Sequence, residues 1–224
     1  VVLLGDSIFD NQAYVPGEPD VIAQLRQELG PEWRATLLAV DGDTASGVVR
    51  QLDSLPEGAT HLVVSVGGND ALGFGYLLEE RAGTVGEALR LLATAQQQFA
   101  AVYQPMAQAV CGTRLPTAFC TIYDTPPSGP GQPEISTAVA IFNDIITRAA
   151  LAHSASLIDL RLICSEDADY ANPIEPSSHG GRKIAKAIAG LLLGRSSLLR
   201  STSWATREQL GRPPGRHLRF EQGR

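Results

Sequence analysis

Five short apolar runs, each separated from the next by a stretch with helical spacing, set the strongest limit on what this chain can fold into. The runs are Val1–Leu4, Ala35–Val40, His61–Val66, Thr117–Tyr123 and Ser156–Leu160. They are continuous rather than alternating, which is the pattern of strands buried on both faces. Between and after them, apolar residues recur at helical spacing over Val21–Leu29, Ser46–Leu55, Val85–Val110, Ile135–Ala152 and Gly181–Leu193. Asp20 and Gly30 punctuate the first of these helices as N-cap and stop, and Gly194 stops the last. Strand–helix alternation of this kind implies a five-stranded parallel sheet covered on both sides by helices. In such a sheet the ligand site lies beyond the carboxyl ends of the strands, so the residues just after each run are where chemistry is expected.

The 224 residues suit one principal domain, assigned to residues 1–194, followed by a basic extension over 195–224. That extension holds seven Arg and two Glu, whereas the whole chain carries a formal charge of −6, so the body is strongly acidic. An acidic body argues against a nucleic-acid partner. The extension reads as a solvated, poorly ordered segment. No apolar run is long enough to suggest a membrane span. Val1 lies inside a strand pattern, so the sequence reads as part of a longer product, with an upstream targeting segment left open. Three cysteines without a CxxC or Cys/His grouping give neither a disulfide framework nor a zinc site, and Cys120 reads as a small core residue.

Three strand ends carry candidate residues. Gly5-Asp6-Ser7 holds a serine on a tight turn with a helical turn to follow. Asp41-Gly42-Asp43-Thr44 offers an unhindered backbone N–H at Gly42. Gly67-Gly68-Asn69-Asp70 combines close backbone approach with a side-chain amide donor at Asn69. Each fragment alone reads as readily as an ordinary turn with helix caps. Converging at three successive strand ends, they form a hydroxyl nucleophile faced by oxyanion donors. Among the remaining polar residues, Asp10 and Asn11 are expected to line the cleft and Asp124 to border the pocket. Asp70 is expected to cap the segment after it, and Asp159 to be a buried, hydrogen-bonded carboxylate. Gly73-Phe74-Gly75-Tyr76 reads as a cleft wall or as an ordinary loop.

The blocks LGDSIFDN, DGDTASG and GGND resemble, in order and spacing, the first three blocks of the SGNH/GDSL hydrolases, and the similarity runs from Val1 to about Gly194. The resemblance implies a flavodoxin-like three-layer α/β/α sandwich and hydrolysis of esters or related acyl groups on a small-molecule substrate, without metal or cofactor. It places the nucleophile on Ser7 and the oxyanion donors on Gly42 and Asn69. The family's fourth block, Asp-x-x-His-Pro, is altered: counted back from Gly180 and Ile184-Ala185, its Asp falls on Asn172 and its His on Glu175.

A nucleophilic serine needs a base that accepts its proton and returns it to the leaving group. An ordinary Glu titrates near ~4.3 and is a weak base at neutral pH unless desolvated. Two arrangements follow. In one, Glu175 orients His179, four residues on, and a displaced histidine serves Ser7. In the other, Glu175 acts alone. His61, His153 and His217 read as structural or solvated. The favoured function is a serine esterase working through an acyl-enzyme on Ser7. The alternative is a catalytically impaired member of the same fold that binds an acylated or glycan ligand. A nucleotide-binding α/β domain is set aside, because the first turn lacks GxGxxG spacing and a P-loop lysine.

Overall fold

The computed structural model describes residues 1–195. Five parallel strands, β1 (Val2–Gly5), β2 (Thr36–Leu37), β3 (Leu62–Ser65), β4 (Thr117–Cys120) and β5 (Ser156–Ile158), form one sheet in the order β2-β1-β3-β4-β5. This is the flavodoxin-like doubly wound order, and its reversal between β1 and β3 opens a crevice at their carboxyl ends. The helices are α1 (Val21–Leu29), α2 (Ala45–Leu52), α3 (Gly68–Leu72), α4 (Val85–Gly112), α5 (Gln132–Ala152), α6 (Leu160–Ile163) and α7 (Ser178–Leu192).

The sheet divides the interior into two cores, as a three-layer sandwich requires. Leu3, Val63, Ala118 and Ile158 point to the face packed by α1 and α7, with Val21, Leu25, Ile184 and Ile188 opposite. Leu4, Val64 and Phe119 point to the other face, against Phe99, Tyr103 and Met106 of α4 and Phe142 and Ile146 of α5. The alternation of neighbours such as Leu3 and Leu4 between the two cores explains why the strand sequences are apolar throughout.

Asp20 caps α1, accepting a hydrogen bond from the Ala23 N–H, and Gly30 ends the helix with φ of 78°. The strand expected over Ala35–Val40 contracts to two paired residues, because the chain after Leu37 swings over the strand end and Val40 N–H donates to the Gly5 carbonyl. Ser156–Leu160 likewise yields only three strand residues before Asp159 caps α6.

Helix α5 has the length and apolarity of a membrane-crossing helix, the one such helix among the described residues. Its buried face, Phe142, Ile145, Ile146, Ala149 and Ala150, packs into the second core, which accounts for its composition. Cys111, Cys120 and Cys164 are all free thiols. The basic extension, including His217, lies outside the described residues apart from Arg195.

Candidate active site

Ser7 sits at the carboxyl end of β1, where the chain turns sharply. Gly5 makes the turn possible: its φ is 131°, and a Cβ there would lie 1.8 Å from the Ser65 carbonyl oxygen on β3. A helical turn follows, in which the Phe9 and Asp10 N–H groups donate to the Asp6 carbonyl. The turn is clamped by a residue that local patterning does not single out. Gln51, on the buried face of α2, accepts from Gly5 N–H and donates to Gly5 C=O, both at 2.8 Å, and donates again to Asp43 Oδ2 at 2.8 Å. One amide thus ties the nucleophile turn to the loop that carries Gly42.

Gly42 adopts φ of 79°, a conformation suited to glycine, and neither its backbone N–H nor that of Ser7 donates to a protein acceptor among the described residues. Asn69, at the start of α3, donates one side-chain N–H to the Asp43 carbonyl at 2.8 Å, which orients the amide and leaves its second N–H free. Asp70 caps a helix, but α2 rather than its own: its carboxylate accepts from Ala45 N–H at 3.0 Å.

On the opposite side of Ser7 lies the altered fourth block. Ser7 Oγ donates to Glu175 Oε1 at 3.0 Å. Glu175 is 6% exposed, and its Oε2 has no hydrogen-bond partner. Asn172 makes no hydrogen bond to Ser7; its Oδ1 accepts from the N–H groups of Ile174 and Glu175, both at 2.9 Å, and folds the loop that presents Glu175. Burial pushes the Glu175 carboxyl above its ordinary range, opposed by the Ser7 hydrogen bond and reinforced by the charge of Asp41. Asp6, fully buried beside it, is pushed up to about 8, again chiefly by burial, with the Ile8 N–H bond opposing and the charges of Glu175 and Asp70 adding.

The displaced-histidine arrangement is not formed. His179 is half-exposed, and its Nε2 lies 3.7 Å from Asp169 and 3.8 Å from Glu166. The reason is local: Ser177 caps α7 through the Gly180 N–H, so His179 enters the first helical turn on the face turned toward the Glu166–Asp169 segment. Glu166, Asp169 and His179 are the one group of three among the described residues with ligand atoms mutually within 4.8 Å. Lys183 already supplies a cation there, 2.8 Å from Asp169 and 3.0 Å from Glu166. This cluster reads as a structural ion-pair network.

Asn11, expected along the cleft, is fully buried and acts as a brace. It accepts from Val21 N–H at 3.0 Å and donates to the Pro176 carbonyl at 3.2 Å, linking the Ser7 turn, α1 and the Glu175 loop. Asp159 is hydrogen-bonded as expected but only partly buried: just past β5, it accepts from the Thr121 hydroxyl and pairs with Arg161 at 2.6 Å.

Beside Ser7 opens a cavity of about 340 Å³. Its walls are almost wholly apolar: Leu72, Phe74 and Leu77 from the segment after Asn69, Leu92 from α4, Phe142 from α5, and Ile174 next to Glu175. Phe74 stacks on Phe142 with ring centroids 5.7 Å apart, so the Gly73–Tyr76 stretch is a cavity wall, although Tyr76 faces outward. Asp124 borders the same cavity. Asn143 fixes another wall, bonding both backbone groups of Ile122 at 2.8 Å.

The family model for the GDSL-like lipase/acylhydrolase family matches residues 3–182. The chain belongs to that family. Among solved structures, an acetyl xylan esterase, AlAXEase, is 18% identical, with a TM-score of 0.64 over 85% of this chain and 98% of its own. An extracellular lipase from Streptomyces rimosus is 15% identical, with a TM-score of 0.60 over 87% and 98% of the two chains. The psychrotrophic esterase EstA from Pseudoalteromonas sp., inhibited by monoethylphosphonate, is 19% identical, with a TM-score of 0.55 over 86% and 97%. At these identities the likeness shows a shared fold. No curated protein sequence matches the chain. Membership in the GDSL-like family supports hydrolysis of small-molecule esters in general terms.

Proposed function

We propose that this protein is a serine esterase in which Glu175, acting without histidine, is the base for Ser7. The observation that carries the reading is the 3.0 Å hydrogen bond from Ser7 Oγ to a nearly buried carboxylate, at the mouth of an apolar cavity. A carboxylate becomes a useful base near neutrality when burial raises its proton affinity, which is the direction found for Glu175.

In the proposed reaction the acyl group of the ester lies in the cavity. Ser7 Oγ attacks the carbonyl as Glu175 Oε1 takes its proton. The oxyanion is held by the N–H groups of Ser7 and Gly42 and by the free N–H of Asn69. Protonated Glu175 returns its proton to the departing alkoxide. Water, deprotonated in turn by Glu175, then releases the acid and regenerates Ser7. Neither metal nor cofactor enters this scheme.

Hydrolysis of p-nitrophenyl esters of graded acyl length across roughly pH 5–9 tests it. The expected result is activity in the wild type that rises with pH through the elevated Glu175 titration, since only the ionised carboxylate accepts the proton. Ser7→Ala is expected to abolish it, Glu175→Gln to lower it by about 10²–10⁴, and His179→Ala to leave it within a few-fold. Activity that disappears in His179→Ala and survives in Glu175→Gln would overturn the assignment.

One observation favours a second reading. A site without imidazole beside the serine, whose carboxyl is pushed upward by burial, also suits a binding protein that holds an acylated or glycan ligand. Wild-type rates no greater than those of Ser7→Ala on every ester would bring that reading forward.

A further inference from the structure

A second depression, open to solvent and of about 370 Å³, adjoins the cavity beside Ser7. Its walls are Leu78, Leu92, Pro133, Glu134, Thr137 and Ala138. Leu78, Leu92 and Ala138 also line the cavity, so these three side chains form a partition between the two spaces. No strand-end residue and no residue of the Glu175 loop borders the depression. The partition therefore closes the cavity at the end remote from the reacting groups.

Two contacts give that end a fixed position. Leu92 and Ala138 belong to α4 and α5, and about one turn further along each helix the Gln96 side-chain amide donates to the Ile141 carbonyl at 2.9 Å. This bond pins the spacing of the two helices next to the partition. Phe142, on α5 and on the cavity wall, meets Phe99 of α4 edge to face with ring centroids 5.2 Å apart. An apolar cavity of fixed depth measures the chain that enters it. A chain that stops short leaves wall uncovered, and one that is too long must push the partition aside.

We infer that the substrate is an ester of a straight-chain carboxylic acid of about eight to twelve carbons, and that Leu92 and Ala138 set this length. This rests on the esterase reading and names the acids it serves. A methylene occupies roughly the volume of a water molecule, ~30 Å³, so the 340 Å³ cavity is filled by a chain of that size. An acetyl group reaches Ser7 but covers little of the wall. Each further methylene buried raises kcat/KM by about fourfold until the partition is met. Hydrolysis adds one water across the ester bond and yields the fatty acid and the free alcohol.

The test is kcat/KM for p-nitrophenyl esters from acetate to palmitate, measured below aggregation and each divided by its rate of alkaline hydrolysis. The wild type is expected to gain about 10²-fold or more from acetate to decanoate and to gain nothing beyond dodecanoate. Ala138→Phe fills the end of the cavity. It is expected to move the optimum to chains shorter by about two to four carbons and to lower the decanoate-to-acetate ratio by about tenfold or more. Leu92→Ala opens the partition onto the depression and is expected to move the optimum longer, raising the palmitate-to-decanoate ratio by about tenfold. Each ratio compares two esters on one preparation, so a loss of folded protein cancels. Activity that is best on acetate, or an optimum that stays in place in both variants, would overturn the inference while leaving the esterase reading standing.

Calorimetric binding of methyl hexanoate, methyl octanoate and methyl decanoate to Ser7→Ala reads the same burial without turnover. Affinity that climbs about fourfold per methylene supports the inference even if the wild type hydrolyses no ester and the esterase reading falls. Affinity independent of length overturns it.

Discussion

The donor side and the base side of this site are built from different materials. On the donor side, Ser7, Gly42 and Asn69 are held by backbone geometry: a glycine turn at Gly5, a left-handed Gly42 and the Gln51 amide that joins their loops. On the base side, a loop between α6 and α7 presents one side chain, and its chemistry depends on what residue 175 is. Asn172 shapes that loop through two backbone N–H groups. The comparison teaches that the Ser7, Gly42 and Asn69 loops are tied to one another by several bonds, whereas the group facing Ser7 from the other side is set by a single position; under the proposed mechanism the donors and the base can therefore change separately.

The contrast can be broken from the donor side. Asn69→Ala removes a donor that the proposed mechanism aims at the oxyanion and should lower kcat by about 10²–10³ with little change in KM, as measured on p-nitrophenyl esters. A drop confined to KM would mean that Asn69 serves ground-state binding instead.

It can be sharpened from the base side. Asn172→Asp combined with Glu175→His installs the pair that the resemblance to the SGNH/GDSL hydrolases associates with these positions. It should raise kcat near neutral pH by about tenfold to a hundredfold, and it should move the acid limb of the pH profile toward the histidine range. A loss of activity with the fold retained by circular dichroism would show that the loop is built around the carboxylate.

A smaller effect separates the burial on the two sides. The Asp6 carboxyl titrates at about 8 in the folded chain and near 3.8 in the unfolded one, so folding binds a proton between those values. The native state therefore loses stability as pH rises through that window. Asp6→Asn keeps an acceptor for the Ile8 N–H without the charge, and its Tm should fall by roughly ten degrees less than that of wild type between about pH 5 and pH 9. Parallel Tm curves would show that Asp6 is hydrated in solution.

Much of this was legible in the sequence. Continuous apolar runs gave the parallel sheet, Asp20 and Gly30 bounded α1 as expected, and the placing of candidates after the strands brought Ser7 and Asn69 to one cavity. The errors share a cause. Gln51, Asn11 and Asn143 act through hydrogen bonds to backbone groups 46, 165 and 21 residues away, and no local pattern marks an amide for such a task. The reach of His179 depended on where α7 begins. Once Ser177 caps that helix, the ring is committed to Asp169 and Glu166, and Glu175 alone remains beside Ser7.

The apolar cavity wall comes largely from α4, α5 and the segment after α3, whereas Ser7 and Glu175 come from a strand end and from the loop before α7; Asn69 and the wall residue Leu72 share α3. Leu77 and Leu92 lie on elements other than those that carry Ser7, Asn69 and Glu175, so exchange there reshapes the cavity away from those groups. Under the proposed reaction, which acyl groups the protein accepts can therefore be retuned at those wall positions without altering the groups that carry the chemistry.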